Sequence, residues 1–316
     1  QNGSGRVTTS LPMIQFYDQL FNEKVKQRLE EIILVLAILG FIIHLILIFG
    51  KDTDLFQIST PYDELLDNPI SAIYTPFSFI LIYEVYLLVY YLASSFSSSI
   101  GNQFVIIALI EVRNIFKDIT KLKLELEWFA YKENVVFTVD IIGFILLFYL
   151  IYWFFRLKGQ HKRGEARIEV SSFVNSKKVI SILLLIVLAG LTVFNLISWI
   201  SEVINYQRGI LSELRDVNTI FYVDFFNILI IVDVLILILS YRYTHRYSLL
   251  IRNSGFIISV VLIRLSFGST TILNMALVLM GALFGVLIAR IYLAMARLEG
   301  KAGFNPEDAE PGDTHG

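Results

Sequence analysis

The chain has 316 residues, no cysteine, a net charge of −2, 56% apolar residues and a mean hydropathy of +0.67. Charged residues make up 17%, against roughly 25% in a soluble domain, and they cluster between long apolar runs, which is the composition of an integral membrane protein. The missing cysteines exclude disulfides, thiolate metal sites, iron–sulfur clusters and a cysteine nucleophile, and the near-neutral balance carries no nucleic-acid footprint.

Taken in order, residues 1–31 are expected to form a cytoplasmic tail followed by an amphipathic helix. The tail lacks periodicity, whereas Ile14, Tyr17, Phe21, Val25 and Leu29 recur at helical spacing from residue 13 to 31. No signal-peptide pattern is visible, so insertion is expected to use the first span itself. That span covers about 32–49. An acidic connection leads to the second at 70–92, and a serine-rich turn centred near Ser98 leads to the third at 103–117. Residues 117–134 either extend the third span or lie at the interface, with Trp128 and Tyr131 as anchors. The fourth span covers 135–155 and closes a first four-helix unit, 32–157.

A basic linker, 158–178, then leads into a second unit, 179–298. Its spans are expected at 179–200, 220–239, 253–267 and 272–296, with a turn near Ser248. Residues 299–316, rich in Gly, Pro and acid, read as a disordered tail. Eight spans place both termini on one side. That side carries 17 Lys and Arg residues and the opposite side seven, so the termini are expected in the cytoplasm of a multi-pass cell-membrane protein.

The two units read as a parallel repeat. Aligning Phe77 with Phe226 brings Glu84 onto Asp233, and after a two-residue adjustment Arg113 falls on Arg264. Matched Ile and Leu are cheap in a membrane protein, but a matched acid and a matched arginine are not. The fold class expected is therefore all-α, with eight transmembrane helices arranged as two parallel four-helix repeats.

Charge within a span costs about 2.5–3.5 kcal/mol, while each apolar residue returns only about 0.3–0.6 kcal/mol. Glu84, Glu111, Arg113, Asp233 and Arg264 should consequently face the interior and find partners. Equal distances from the turns make Glu84–Arg113 and Asp233–Arg264 the natural pairs. Glu111 has no counterpart, since position 262 is Leu. Two readings are open: struts that fix helix register, or the lining of a hydrated path for cations or protons. Asp140 and Asp224, near helix ends, read as solvated caps, and His44 reads as a hydrogen-bonded core residue. Arg242, Arg246, Arg290 and Arg297 should snorkel to headgroups. Tyr83, Tyr86 and Tyr90 share one broad helix face, which suits either packing or a polar pathway.

No phosphate-binding loop, zinc-protease motif, serine-nucleophile elbow, dinucleotide fingerprint or potassium filter is present, and His44, His161, His245 and His315 are scattered. Neither an enzyme nor a cofactor is expected. The function expected is an ion channel or transporter subunit for cations or protons, in contact with the lipid bilayer and assembled as a homo-oligomer or within a complex. The alternative is a scaffold or sensor subunit whose charge pairs are purely structural.

Overall fold

A computed structural model describes residues 12–53, 69–159, 171–207, 217–243, 246–269 and 271–301. Most of the expected disordered tails, of the acidic connection after the first span and of the basic linker lie outside the described residues; residues 299–301 of the expected tail and 171–178 of the expected linker are helical instead. Within them the chain is all-helical: α1 (Pro12–Leu20), α2 (Glu23–Asp52), α3 (Tyr74–Tyr90), α4 (Phe96–Ile119), α5 (Lys132–Gly159), α6 (Ser171–Gln207), α7 (Val217–Tyr243), α8 (Tyr247–Ser266) and α9 (Thr271–Lys301). Eight of them, α2 to α9, are long and apolar enough to cross a membrane. The molecule is a polytopic membrane protein.

The predicted amphipathic helix over 13–31 is in fact two pieces. The chain breaks at Phe21–Asn22, where Asn22 is extended and its side chain accepts a hydrogen bond from Val25 N at 2.8 Å. This caps α2, which then runs unbroken from its charged first turns through the whole first span. At its other end, Thr53 Oγ1 donates to Phe49 O at 2.9 Å and satisfies a terminal carbonyl. The short α1 lies against α6, burying Ile14 and Tyr17, with Phe21 buried just beyond its end. Phe21 stacks on Tyr86 with centroids 5.8 Å apart. The tyrosine face of α3 serves this junction: Tyr83 and Tyr90 donate to Glu30 Oε2 and Glu23 Oε1, both at 2.7 Å.

The serine-rich turn is also shorter than its composition suggests. A 3₁₀ turn, Tyr91–Ala93, and two further residues complete it, so that Ser97 and Ser99 already sit buried in the first turns of α4. Ser248 likewise belongs to α8. These turns and α1 define the near end of the bundle. At the far end, residues 120–131 do not extend α4. They fold back on α5: Lys123 N donates to Asn134 Oδ1 at 3.0 Å, Asn134 Nδ2 donates to Lys123 O at 2.7 Å, and Trp128 Nε1 donates to Thr138 Oγ1 at 3.0 Å.

α4 and α8 form the central wall, with 61% of each span buried against at most 41% in any other. Two apolar clusters meet there. One joins α3, α6 and α7 through Leu88, Leu184 and Phe225; the other joins α5 and α9 through Phe154, Phe256 and Val278. α8 and α9 approach most closely, across Gly281 and Gly285. A Cβ at Gly281 would stand 2.8 Å from the Ser259 carbonyl oxygen and 2.6 Å from Ile263 Cγ1, and Ser259 Oγ donates to Gly281 O at 2.6 Å. The Gly281–Gly285 spacing is thus a true contact. Gly281→Ala is expected to destabilise the protein by about 1–3 kcal/mol, read as a lowered unfolding midpoint in detergent. Gly190→Ala, with nothing within 4 Å of its Cβ, should be neutral or slightly stabilising. Equal losses at the two glycines would contradict this account.

Candidate functional site in the charged interior

The charged residues named from sequence gather along the central wall. Arg264 Nη1 pairs with Asp233 Oδ2, joining α8 to α7, and its Nη2 donates to Gln103 Oε1 of α4 at 2.8 Å. Gln103 Nε2 in turn donates to Ser99 Oγ at 3.1 Å. Arg264 and Asp233 side chains are only 1% and 3% exposed. In the other half Arg113 Nη1 stands 3.3 Å from Glu84 Oε2, joining α4 to α3. This second pair is looser: the Arg113 side chain is 12% exposed, and Glu84 Oε2 makes no aligned hydrogen bond.

Equal depth is not what brings these pairs together. Each arginine stands 17 residues into its helix, Arg113 from Phe96 and Arg264 from Tyr247. The acids lie only nine or ten residues before the ends of their elements, Glu84 before Ala93 and Asp233 before Tyr243. Along the helices the backbones are therefore roughly 10 Å out of step. Side chains lean toward the N-terminus of their own helix. In an antiparallel pair the acid thus leans toward the far end and the arginine toward the near end, and the two long side chains close the gap.

Glu111 is buried on α4, 2% exposed. Its Oε2 accepts a long bond from Asn114 Nδ2 at 3.4 Å, and its Oε1 has no hydrogen-bond partner. Asp140 is 6% exposed rather than a solvated cap. α5 begins at Lys132, three residues earlier than predicted, so Asp140 lies deeper than its place in sequence suggested. Asp224 is exposed, as are Arg242, Arg246, Arg290 and Arg297. His44 Nδ1 lies 2.6 Å from Thr75 Oγ1, tying α2 to α3.

Two buried cations were not singled out from sequence, Arg252 of α8, which lies over the Tyr292 ring at 4.8 Å, and Lys177. Lys177 of α6, 1% exposed, donates to Ser94 O at 2.6 Å and lies 4.8 Å from the Phe173 ring centroid. Its ammonium thereby fastens α6 to the α3–α4 turn, with a cation–π contribution from the ring. A narrow cleft, with room for about one water molecule, is lined by Lys177, Ser94, Ser99, Gln103 and Asp233 among others. Polar groups therefore follow one another from the near end to the Arg264 pair at the centre. Among the described residues, no group of three or more His, Asp or Glu could hold a metal ion.

The chain matches no family model, no curated protein and no solved structure. What it can do rests on the geometry. A file of serine, glutamine and charged groups offers hydrogen-bonding partners where lipid and apolar side chains offer none. Such a file can stabilise a water, a proton or a small cation that has lost part of its hydration shell.

Proposed function

We propose that this chain is the subunit of an ion channel or transporter that moves protons or small cations, without catalytic chemistry. The observation that carries this reading is the small cleft to which Lys177, Ser99, Gln103 and Asp233 all contribute, because buried polar groups in a membrane protein are costly and mark ion routes. Reconstitution of the purified chain into liposomes, with flux measured for protons, sodium and potassium, tests it. No flux of any of these under a gradient would remove the reading.

The proposal includes two parallel four-helix repeats, α2–α5 and α6–α9, related by about half a turn around the membrane normal. It draws support from the two arginines, each 17 residues into the third helix of its unit and each paired with an acid on the second. The contact of α4 with α8, and of α5 with α9, lies where such an axis would pass. The apolar face of α2, whose span is only 17% buried, leaves room for lipid, a second copy or a complex partner.

Both termini are proposed to lie in the cytoplasm of a cell-membrane protein, on the strength of the 17-to-7 asymmetry in Lys and Arg. Cysteines introduced at Asp54 and Arg208 are then expected to react with an impermeant reagent from outside, while those at Arg163 and Lys301 stay silent. Outside labelling at Arg163 in intact cells would reverse the orientation.

A second reading, a membrane scaffold or sensor subunit, is favoured by the sealed Arg264–Asp233 pair and by 3₁₀ turns that fall between spans or at the ends of a span rather than in mid-span. Discontinuous spans are frequent in transporters. Flux separates the two readings.

A further inference from the structure

We infer that the connection over residues 120–131 is a membrane-interaction surface, seated at the boundary between headgroups and acyl chains of the far-end leaflet, with Leu124, Leu126 and Phe129 in contact with lipid. Leu124 and Phe129 are 85% and 73% exposed, and Leu126 is fully so. Leu122, Leu124 and Leu126 alternate with Lys121, Lys123, Glu125 and Glu127. Residues 122–126 belong to no helix, and in an extended stretch such alternation sends leucines and charges to opposite sides.

Hydrogen bonds set the depth of this surface. From Val135 to Phe155, α5 is uncharged but for Asp140. That run spans roughly 31 Å at 1.5 Å per residue, which matches a hydrocarbon core of about 30 Å. Asn134, bonded twice to the Lys123 backbone, stands at its edge. Thr138, which accepts from Trp128 Nε1 at 3.0 Å, stands one helical turn inside it. The 3₁₀ turn Trp128–Ala130 is thereby drawn down beside α5 to the level where lipid begins, and Phe129 goes with it. The connection does not project into water.

Much of the segment's polarity is answered within the protein, as this depth requires. Lys123 Nζ lies 4.9 Å from the Tyr131 ring centroid, and Tyr131 OH donates to Glu125 Oε2. Lys121 pairs with Asp118 at 3.3 Å, and Ala130 N donates to Glu127 O at 3.0 Å. Trp128 and Tyr131, the anchors expected from sequence, are half-buried and engaged with Thr138 and Glu125, so the anchoring part falls to the leucines and Phe129. The helices that the connection joins also present apolar side chains outward, Phe116 of α4 and Ile142 of α5 among them, and the surface prolongs the lipid contact those spans make. Two lysines and two glutamates leave the segment without net charge, so its partner is the apolar edge of the leaflet rather than an anionic headgroup.

Because the chain has no cysteine, single spin labels can be placed through Leu124→Cys, Leu126→Cys, Phe129→Cys and, as a control, Glu127→Cys. With the full chain in lipid vesicles, relaxation of each label is read against oxygen, which concentrates in lipid, and against a water-soluble nickel chelate. Oxygen is expected to dominate at the three apolar positions and the order to reverse at the control. Nickel dominating at the apolar positions overturns the assignment. So does shielding from both reagents, which would mark a second copy or another protein as the cover. Unfolding midpoints close to the wild type are expected, since these side chains are exposed. If a variant fails to fold, the unsubstituted chain decides: a lipid-soluble photoactivated carbene should label residues 122–130, and absence of label there overturns the inference. Neither measurement reads flux, so this inference and the transport proposal stand or fall separately.

Discussion

Replacing Arg264 by methionine will destabilise the protein by about 3–5 kcal/mol, the loss typical of breaking a buried ion pair from one side. The reason lies in what stays behind. Asp233 would be left at 3% exposure without a cation, and Gln103 Oε1 would lose its donor. Asp233→Asn in the Arg264→Met background should recover much of the loss, because a neutral amide carries a far smaller desolvation cost than an orphaned carboxylate. Arg113→Met should cost less than Arg264→Met. Its side chain is 12% exposed, so water can reach the site, and its contact with Glu84 is not an aligned hydrogen bond. Unfolding midpoints in detergent, measured for all three variants beside the wild type, give the ranking. If Arg113→Met proved as damaging as Arg264→Met, the asymmetry between the halves would have no energetic meaning.

The spans could be read from sequence because lipid imposes one rule on every residue of a long run, and apolar length alone carries it. Their ends were harder. Ser97 and Ser99 look like turn residues, yet they are buried in α4, where Ser99 Oγ accepts from Gln103 one helical turn away. Polar side chains that bond within their own helix do not break it, and hydropathy cannot tell them from a loop. Lys177 was invisible for another reason. Its acceptor is a backbone carbonyl 83 positions away, and in sequence the lysine is one more basic residue of the 158–178 linker. The acid–arginine pairs were legible in identity but not in depth, since side-chain lean supplied what the backbones did not. Asp140 was misjudged because the 120–131 connection pins itself to Asn134 and Thr138, which places it well inside a longer helix.

Exchanging Glu84 and Arg113 separates bracing from conduction. If the pair only braces α3 against α4, the exchanged protein should recover most of what either single alanine change loses in stability, since attraction does not depend on which helix carries which sign. Conduction through this region would respond differently, because Glu111 lies within electrostatic reach of Arg113. Moving the arginine to α3 alters the charge that Glu111 faces, so flux should stay impaired although folding is restored. Glu111→Gln is the sharper probe. It keeps the size of the side chain, can still accept the bond from Asn114, and removes the carboxylate from a buried mid-span acid that the two ion pairs leave out. The expected result is an intact fold with flux changed in rate or in its dependence on pH, measured in liposomes under an imposed gradient. Unchanged flux in Glu111→Gln, together with full rescue by the exchange, would leave these charges as struts and favour the scaffold reading.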